Sequence, residues 1–378
     1  MRFDDDQRAL RSSLDDWLEH LSADHLTHDR MGRFPAGKWE IVRRTGLLRL
    51  PFDARWGGLE KDLVTTMYVL EGLGYGCRDA GLNFSLATHI FSVGVPVHRF
   101  GSDDLKREYM PSICDGSMIG AHAITEPDAG SDAMSMTTTA TADGDDFVLS
   151  GRKAFITNGP VADVFIVYAR TQPGDGFRGI TALLVERGAE GFTVGEPMAK
   201  MGLRSSPFCE LFFDDCRVPR RNIVGRPGAG FFILEHVMAW EILCLFAIAA
   251  GAMQHRLDRC LEHARSRTQF GQPIGSFQSI ADRLVDVKIG VETSRRWLYE
   301  TAQRFVRREN VTVDLAVTKL LASEANVTSA LAAIQLFGAR GYLTDYGLEQ
   351  ELRDAIGGTI YSGTSEMQRR RIAAMLGL

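Results

Sequence analysis

The sequence predicts an α+β chain: a helical domain, a β domain, then a second helical domain. Three observations carry this. A length of 378 residues fits two or three domains. The hydrophobic texture changes twice along the chain, from helical to β and back. Strands and helices do not alternate, which argues against a doubly wound nucleotide fold. The predicted boundaries are 1–117, 118–225 and 226–378.

In the first domain, Leu10, Leu14, Trp17, Leu18 and Leu21 recur at helical spacing with Asp and Arg between them. Further helices are expected around Trp39–Leu47, Leu63–Leu73 and Asp104–Ile113, separated by Gly and Pro. The second domain opens with the Thr-rich run 137–142. Asp143-Gly144 then signals a hairpin before Phe147–Leu149. VFIVYA (164–169), ITALLVE (180–186) and LFFDDCRV (211–218) read as strands. From about 228 the pattern is helical again, in long segments. Gly174-Asp175-Gly176-Phe177-Arg178-Gly179 fits G-x-G-x-x-G, but strands flank it on both sides. It is read as a hairpin loop, because the dinucleotide fingerprint must join a strand to a helix.

Composition narrows the function. Hydrophobic residues make up 45% and charged residues 24%, ordinary for a soluble domain. A net charge of -5 argues against nucleic acid, which needs a basic face. The short basic cluster Arg217, Arg220, Arg221 is read as solvated surface at this point. The acidic, polar start lacks the order of a signal peptide. The longest apolar run, Val237 to Met253, is 17 residues and contains a glutamate, short and charged for a membrane span. The expectation is a cytoplasmic protein. Six dispersed cysteines with no Cys-x-x-Cys, and histidines without ligand spacing, predict reduced thiols and no metal site.

Four segments hold candidate chemistry. Ala123–Asp132 concentrates Thr, Ser and backbone N–H groups in one turn. That suits either a capped surface loop or a grip on a heterocycle or phosphate. Gly151–Gly159 places Phe155 two residues before Thr157, on one face of a strand. A ring and a hydroxyl there suit a flat ligand, or a core Phe beside an exposed Thr. Glu241 is the only charge in the apolar run. It is open between a helix-surface carboxylate and a buried base with a raised pKa. In the tail, Gly363-Thr364-Ser365 reads as a turn into the last helix, with Ser365 as its N-cap.

These segments resemble the acyl-CoA dehydrogenase family. PFDARWGG (51–58), AITEPDAGSD (123–132), GRKAFITNG (151–159), RSRTQFGQPIGSFQSI (265–280), QLFGARGY (335–342) and YSGTSEMQR (361–369) occur in the family's order. The resemblance implies a central β-barrel-like domain, a C-terminal four-helix bundle, bound FAD and a homotetramer or dimer. The implied reaction is α,β-desaturation of an acyl thioester of CoA or a carrier protein. By the same resemblance, His122, Ile124, Thr125, Ser131, Phe155 and Thr157 contact FAD. Arg267, Gln269 and Phe270 reach the FAD of a neighbouring subunit. Gln335 and Gly338 contact pyrophosphate, and Thr364 and Glu366 make further FAD contacts. Phe155 stands where Trp is usual, and Ala339 where Gly is common.

The main departure concerns the base. Most relatives carry it as Glu in the tail, where this chain has Ser362, and a serine cannot replace it. Isovaleryl-CoA and long-chain members place it instead on a bundle helix, 29 residues before the Phe that matches Phe270. Counting back reaches Glu241. Ala239 and Ile242 replace an Asp and an Arg frequent in CoA-using relatives. Trp240-Glu241 and the tail look most like members acting on prolyl groups tethered to a carrier protein. An oxygen-using flavin enzyme and an inactive thioester-binding protein remain as alternative readings. The electron acceptor is not legible in the sequence.

Overall fold

Asp4, Asp62, Asp79 and Ser102 each accept a hydrogen bond from the backbone N–H three residues ahead. They thereby satisfy donors that a helix start leaves free. The helices they start are α1 (Asp5–Ser12), α5 (Leu63–Gly76), α6 (Ala80–Ala87) and α8 (Asp103–Asp115). Between and after them lie α2 (Asp15–Ser22), α3 (His25–Met31), α4 (Ala36–Thr45) and α7 (Val95–Phe100). A π-helical segment, Thr88–Gly94, joins α6 to α7. The structure, a computed structural model, describes residues 3–172 and 174–378. The single helical repeat expected over Leu10–Leu21 is broken by a turn at Ser13–Leu14 into α1 and α2.

The sheet contains β1 (Gly120–Ala123), β2 (Thr139–Asp143), β3 (Asp146–Thr157), β4 (Val164–Arg170), β5 (Ile180–Glu186), β6 (Phe192–Val194), β7 (Phe208–Pro219) and β8 (Ile223–Val224). Its hydrogen-bonded path runs β6-β7-β3-β2-β4-β5-β8, with β1 parallel to β4. The Asp143-Gly144 signal is a β2–β3 hairpin in which Asp143 pairs with Asp146 and Gly144 takes φ +58°. GDGFRG lies in the loop between antiparallel β4 and β5.

Strand β4 shows how the layers meet. Val164, Ile166 and Tyr168 join the core shared with the helices, while Phe165, Val167 and Ala169 join a second core on the sheet's other face. Both faces are covered, which is why VFIVYA reads as continuous apolar sequence rather than alternation. The two-residue period places Tyr168 on the helix side.

The C-terminal layer comprises α9 (Gly230–Ser266), α10 (Gln278–Val306), α11 (Thr312–Phe337), α12 (Leu348–Gly357) and α13 (Ser365–Met375). A small hairpin, β9 (Thr268–Gln269) and β10 (Gln272–Pro273), follows α9. Ala80–Phe100, Gly230–Ser266 and Thr312–Tyr342 are apolar and long enough to cross a membrane by length and composition. Here their buried residues, among them Phe91, Phe246 and Ala322, pack into the shared core. Helix α5 crosses α9 at two glycines. A Cβ on Gly74 would sit 1.9 Å from the Ile248 carbonyl oxygen, and one on Gly251 would sit 2.0 Å from that of Glu71. Buried Glu71 then ties α5 to α10 through Arg295 (2.9 Å) and the Tyr299 hydroxyl (2.8 Å).

The backbone contact at this crossing leaves no room for a methyl group. Gly251→Ala is expected to destabilise the protein by about 3 kcal/mol, the upper end for overpacking. Urea unfolding followed by circular dichroism measures this. An unchanged midpoint would contradict the close crossing.

Candidate active site

Glu241 lies in the first third of α9, flanked by Trp240 and Ile242 and half-buried. The α5–α9 crossing fixes this stretch of helix, and Trp240 stacks on Phe91 of the π-helical segment (5.9 Å between centroids). Its carboxylate is held from both sides. Ser92, in the π-helical segment, donates to Oε2 at 2.7 Å. Ser362, in the turn before α13, donates to Oε1. Burial pushes the Glu241 pKa up, and the two hydroxyls act against that.

Two phenols face the same carboxylate. Burial pushes Tyr168 and Tyr361 up, and the charge of Glu241 adds to it in both. The Tyr168 hydroxyl is buried with no hydrogen-bond partner. The His122 ring meets Tyr168 edge-on at 5.1 Å, and its Nε2 is likewise buried and unpaired. Burial takes His122 down to about 4, with the charge of Lys153 adding to the shift, so the ring is neutral.

The loop after β1 is pinned from below. Lys153 is fully buried, and its ammonium donates to Glu126 Oε1 (2.9 Å) and the Ile124 carbonyl (3.1 Å). Glu126 also accepts from the N–H groups of Thr137 (2.6 Å) and Thr138 (2.9 Å) and from the Thr137 hydroxyl (2.8 Å). Burial alone would raise the Glu126 pKa, but Lys153 and these donors reverse the effect and take it down to about 2. Above the pair, the Thr125 carbonyl accepts from Ala154 N–H at 2.8 Å. A register shift between Lys153 and Ile156 then turns β3 outward. Phe155 takes φ +58° and is 54% exposed. Asn158 Nδ2 donates to the carbonyls of Ser85 (3.0 Å) and Gly120 (3.1 Å), tying the end of β3 beside Thr157 to α6 and β1.

The structure thus brings Glu241, His122, Ile124, Thr125, Phe155 and Thr157 onto elements that pack around one region. Ser131 is exposed farther along the loop. Thr364, not Ser365, caps α13: its hydroxyl accepts from Met367 N–H at 3.3 Å, and Glu366 lies in the first turn. Arg267, Gln269 and Phe270 lie elsewhere. They follow the C-terminal end of α9, 26 residues beyond Glu241, a helix length of about 39 Å at 1.5 Å per residue. Phe270 is 94% exposed. Gln335 and Gly338 share that end, where Phe337 stacks on His263 at 4.1 Å. Of the arginine cluster, Arg217 pairs with Asp143 (2.7 Å) and Asp146 (3.3 Å), and Arg220 covers the Phe147 ring.

Sequence reasoning missed Ser92, Glu126, Lys153 and Tyr168. A lysine and a glutamate in otherwise apolar or turn sequence were visible, but their pairing across 27 residues was not.

A cavity of about 80 Å³ runs along α9 and is bordered by Tyr361. Leu245, Ile248, Ala249 and Ala252 line it, on the helix face that Glu241 begins, with Phe84 and Tyr361 opposite. Its far end meets Arg78 and Arg256, which donate to Glu351 at 3.3 and 2.7 Å.

Family models for the acyl-CoA dehydrogenase N-terminal, middle and C-terminal domains match residues 4–117, 121–216 and 228–377. An L-prolyl-[peptidyl-carrier protein] dehydrogenase from Pseudomonas fluorescens is 40% identical over 362 residues, 95% of this chain and 94% of its own. The crystal structure of the prolyl acyl carrier protein oxidase AnaB superposes with a TM-score of 0.97 at 40% identity, covering 100% of both chains. The structure of PigA with FAD and proline superposes with a TM-score of 0.97 at 37% identity, covering 100% of this chain and 99% of that one.

Breaking the buried Lys153–Glu126 pair strands a charge. Lys153→Met is expected to cost about 3–5 kcal/mol, read as a lower urea midpoint. Because Glu126 has its pKa lowered in the fold, its contribution is present above the unfolded value near 4.5 and fades as pH falls from there towards about 2. The gap between wild type and Glu126→Gln should therefore narrow across that window. A constant gap would contradict the assignment.

Proposed function

The chain belongs to the acyl-CoA dehydrogenase family, a class of FAD-dependent acyl-thioester dehydrogenases, and we propose that it oxidises a prolyl group carried as a thioester on a carrier protein, with Glu241 as the base. The observation that carries this is Glu241 itself. It is a carboxylate set in an apolar helix, with hydroxyls on two sides and no cationic partner among the described residues.

The residues present fit the cofactor. Phe155 offers an exposed ring beside Thr157, and the buried Nε2 of His122 is an unpaired polar atom of the kind a heterocycle satisfies. Ile124, Thr125, Ser131, Thr364 and Glu366 would complete the hold from the same chain. Arg267, Gln269, Phe270, Gln335 and Gly338 lie too far along α9 to join Glu241 in one protomer. We assign them to the cofactor of a neighbour, which requires at least a dimer and suits a homotetramer.

FAD, when bound, supplies the acceptor for two electrons and a hydrogen. The chain supplies position and a proton acceptor. Glu241 takes the proton from the α-carbon, and that C–H bond breaks as an O–H bond forms. The β hydrogen leaves with its electron pair as hydride, and a carbon–carbon double bond remains. Ala239 and Ile242 offer no charge for contacts that CoA-using relatives make. The reading places the enzyme in the cytoplasm, with its six cysteines buried and unpaired. A separate acceptor would be needed to reoxidise the bound cofactor. Molecular oxygen is a second reading for that acceptor, motivated by the similarity to the prolyl acyl carrier protein oxidase AnaB.

Anaerobic mixing of the yellow holoenzyme with L-prolyl-carrier thioester is expected to bleach the flavin absorbance, whereas short-chain CoA thioesters bleach it slowly. Glu241→Gln should retain its flavin but reduce it about 10²–10⁴-fold more slowly. Reduction of this variant at the wild-type rate would remove Glu241 from the mechanism. Faster reduction by CoA thioesters would overturn the carrier-protein substrate.

A further inference from the structure

Ser362 occupies the tail position at which the family resemblance expects a carboxylate, and its side chain points at the residue that replaces that carboxylate. Its backbone is left-handed, at φ +54°, a region that residues other than glycine seldom adopt, and Gly363 follows at φ +87°. A serine held in such a conformation marks a turn that its surroundings over-determine. The hydroxyl donates to Glu241 Oε1 across 121 residues of sequence. Fully buried Gln368 braces the turn, its Nε2 donating to the carbonyls of Ser362 (3.2 Å) and Gly363 (3.0 Å).

The opposite oxygen is held in the same way. Ser92 is buried in the π-helical segment Thr88–Gly94, a geometry found often at functional sites. Its hydroxyl reaches Glu241 Oε2 at 2.7 Å across 149 residues. Each carboxylate oxygen has two lone pairs and uses one here. The other remains free to receive a proton.

We propose that Ser362 and Ser92 are positioning residues for the base, a pair of hydroxyls that fix the Glu241 carboxylate in one orientation and stabilise its charged form. The tail turn has thus exchanged a base for a support of the base. This inference rests on Glu241 being the base.

The electrostatics agree. Burial disfavours the charged carboxylate, and the opposing effects are the Ser362 and Ser92 hydrogen bonds. The ionisable groups that register its charge are Tyr168 of β4 and Tyr361 of the tail turn, both neutral phenols. Cys244, one turn along α9, has its thiol raised by burial and is neutral. His122 of β1 is neutral as well. None of these groups supplies the positive charge that would otherwise keep Glu241 ionised.

The test is the pH dependence of anaerobic flavin reduction by L-prolyl-carrier thioester, with flavin content measured for each variant. Ser362→Ala and Ser92→Ala should each move the rising limb up by about one pH unit, a tenfold loss of rate below the midpoint, because a charge-assisted hydrogen bond is lost. The double variant should move it further, and Ser362→Gly, which suits the left-handed backbone but also lacks the hydroxyl, should move it as far as Ser362→Ala. A merely structural role would lower flavin content or rate at every pH without moving the limb. If Ser92→Ala fails to hold flavin, Ser362→Ala and Ser362→Gly decide together: a shared upward shift supports the hydroxyl's role, and two unmoved limbs overturn it. Unmoved limbs in variants that hold flavin, with Glu241→Gln inactive, would overturn this inference and leave the base assignment standing. An active Glu241→Gln would overturn both.

Discussion

A carboxylate set in an apolar helix has to be kept charged without a cation. That constraint organises the centre of this protein. Moving a carboxylate out of water is costly, and most buried acids are met by an arginine or lysine. Glu126 and Glu71 follow that rule, through Lys153 and Arg295. Glu241 does not, and it is held by hydroxyls alone. A cation would lower its basicity and occupy the lone pairs a substrate proton needs. Hydroxyls compensate burial in part and leave the group able to accept a proton.

The rest of the architecture puts those hydroxyls in place. One comes from the N-terminal helices and one from the last turn before α13, so the carboxylate is complete only when both ends of the chain are docked on α9. The glycines at the α5–α9 crossing bring the N-terminal layer into backbone contact. Strand β4, with both faces covered, directs Tyr168 towards the same region. The Lys153–Glu126 pair then holds the loop and bulge that present Thr125 and Phe155. The charged pairs therefore support the site from outside, and the reacting region itself is close to free of fixed charge.

Much of this was legible in the sequence. The helix–sheet–helix order follows from hydrophobic period, and Asp143-Gly144 makes its hairpin because a two-residue turn needs a left-handed position. Glu241 stood out because a charge in an apolar run is costly unless it has a purpose. What was not legible depends on distance along the chain or on local irregularity. Ser92 and Ser362 are common residues whose meaning appears only when segments 149 and 121 positions away meet Glu241. The bulge at Phe155 and the π-helical segment have no periodic signature. The α1–α2 break and the choice of Thr364 over Ser365 as the cap are matters of one residue, where local propensities are nearly equal. Arg217 and Arg220 formed a basic cluster in sequence, yet the fold turns one onto acids of the β2–β3 hairpin and the other onto Phe147.

The central claim is that Glu241 removes the α proton, and proton exchange tests it apart from electron transfer. Holoenzyme whose flavin is already reduced can be incubated with L-prolyl-carrier thioester in D₂O, and the α position followed by mass spectrometry. Wild type is expected to exchange that hydrogen for deuterium, and Glu241→Gln to leave it in place while binding the same thioester. Exchange in Glu241→Gln at the wild-type rate would show that another group takes the proton.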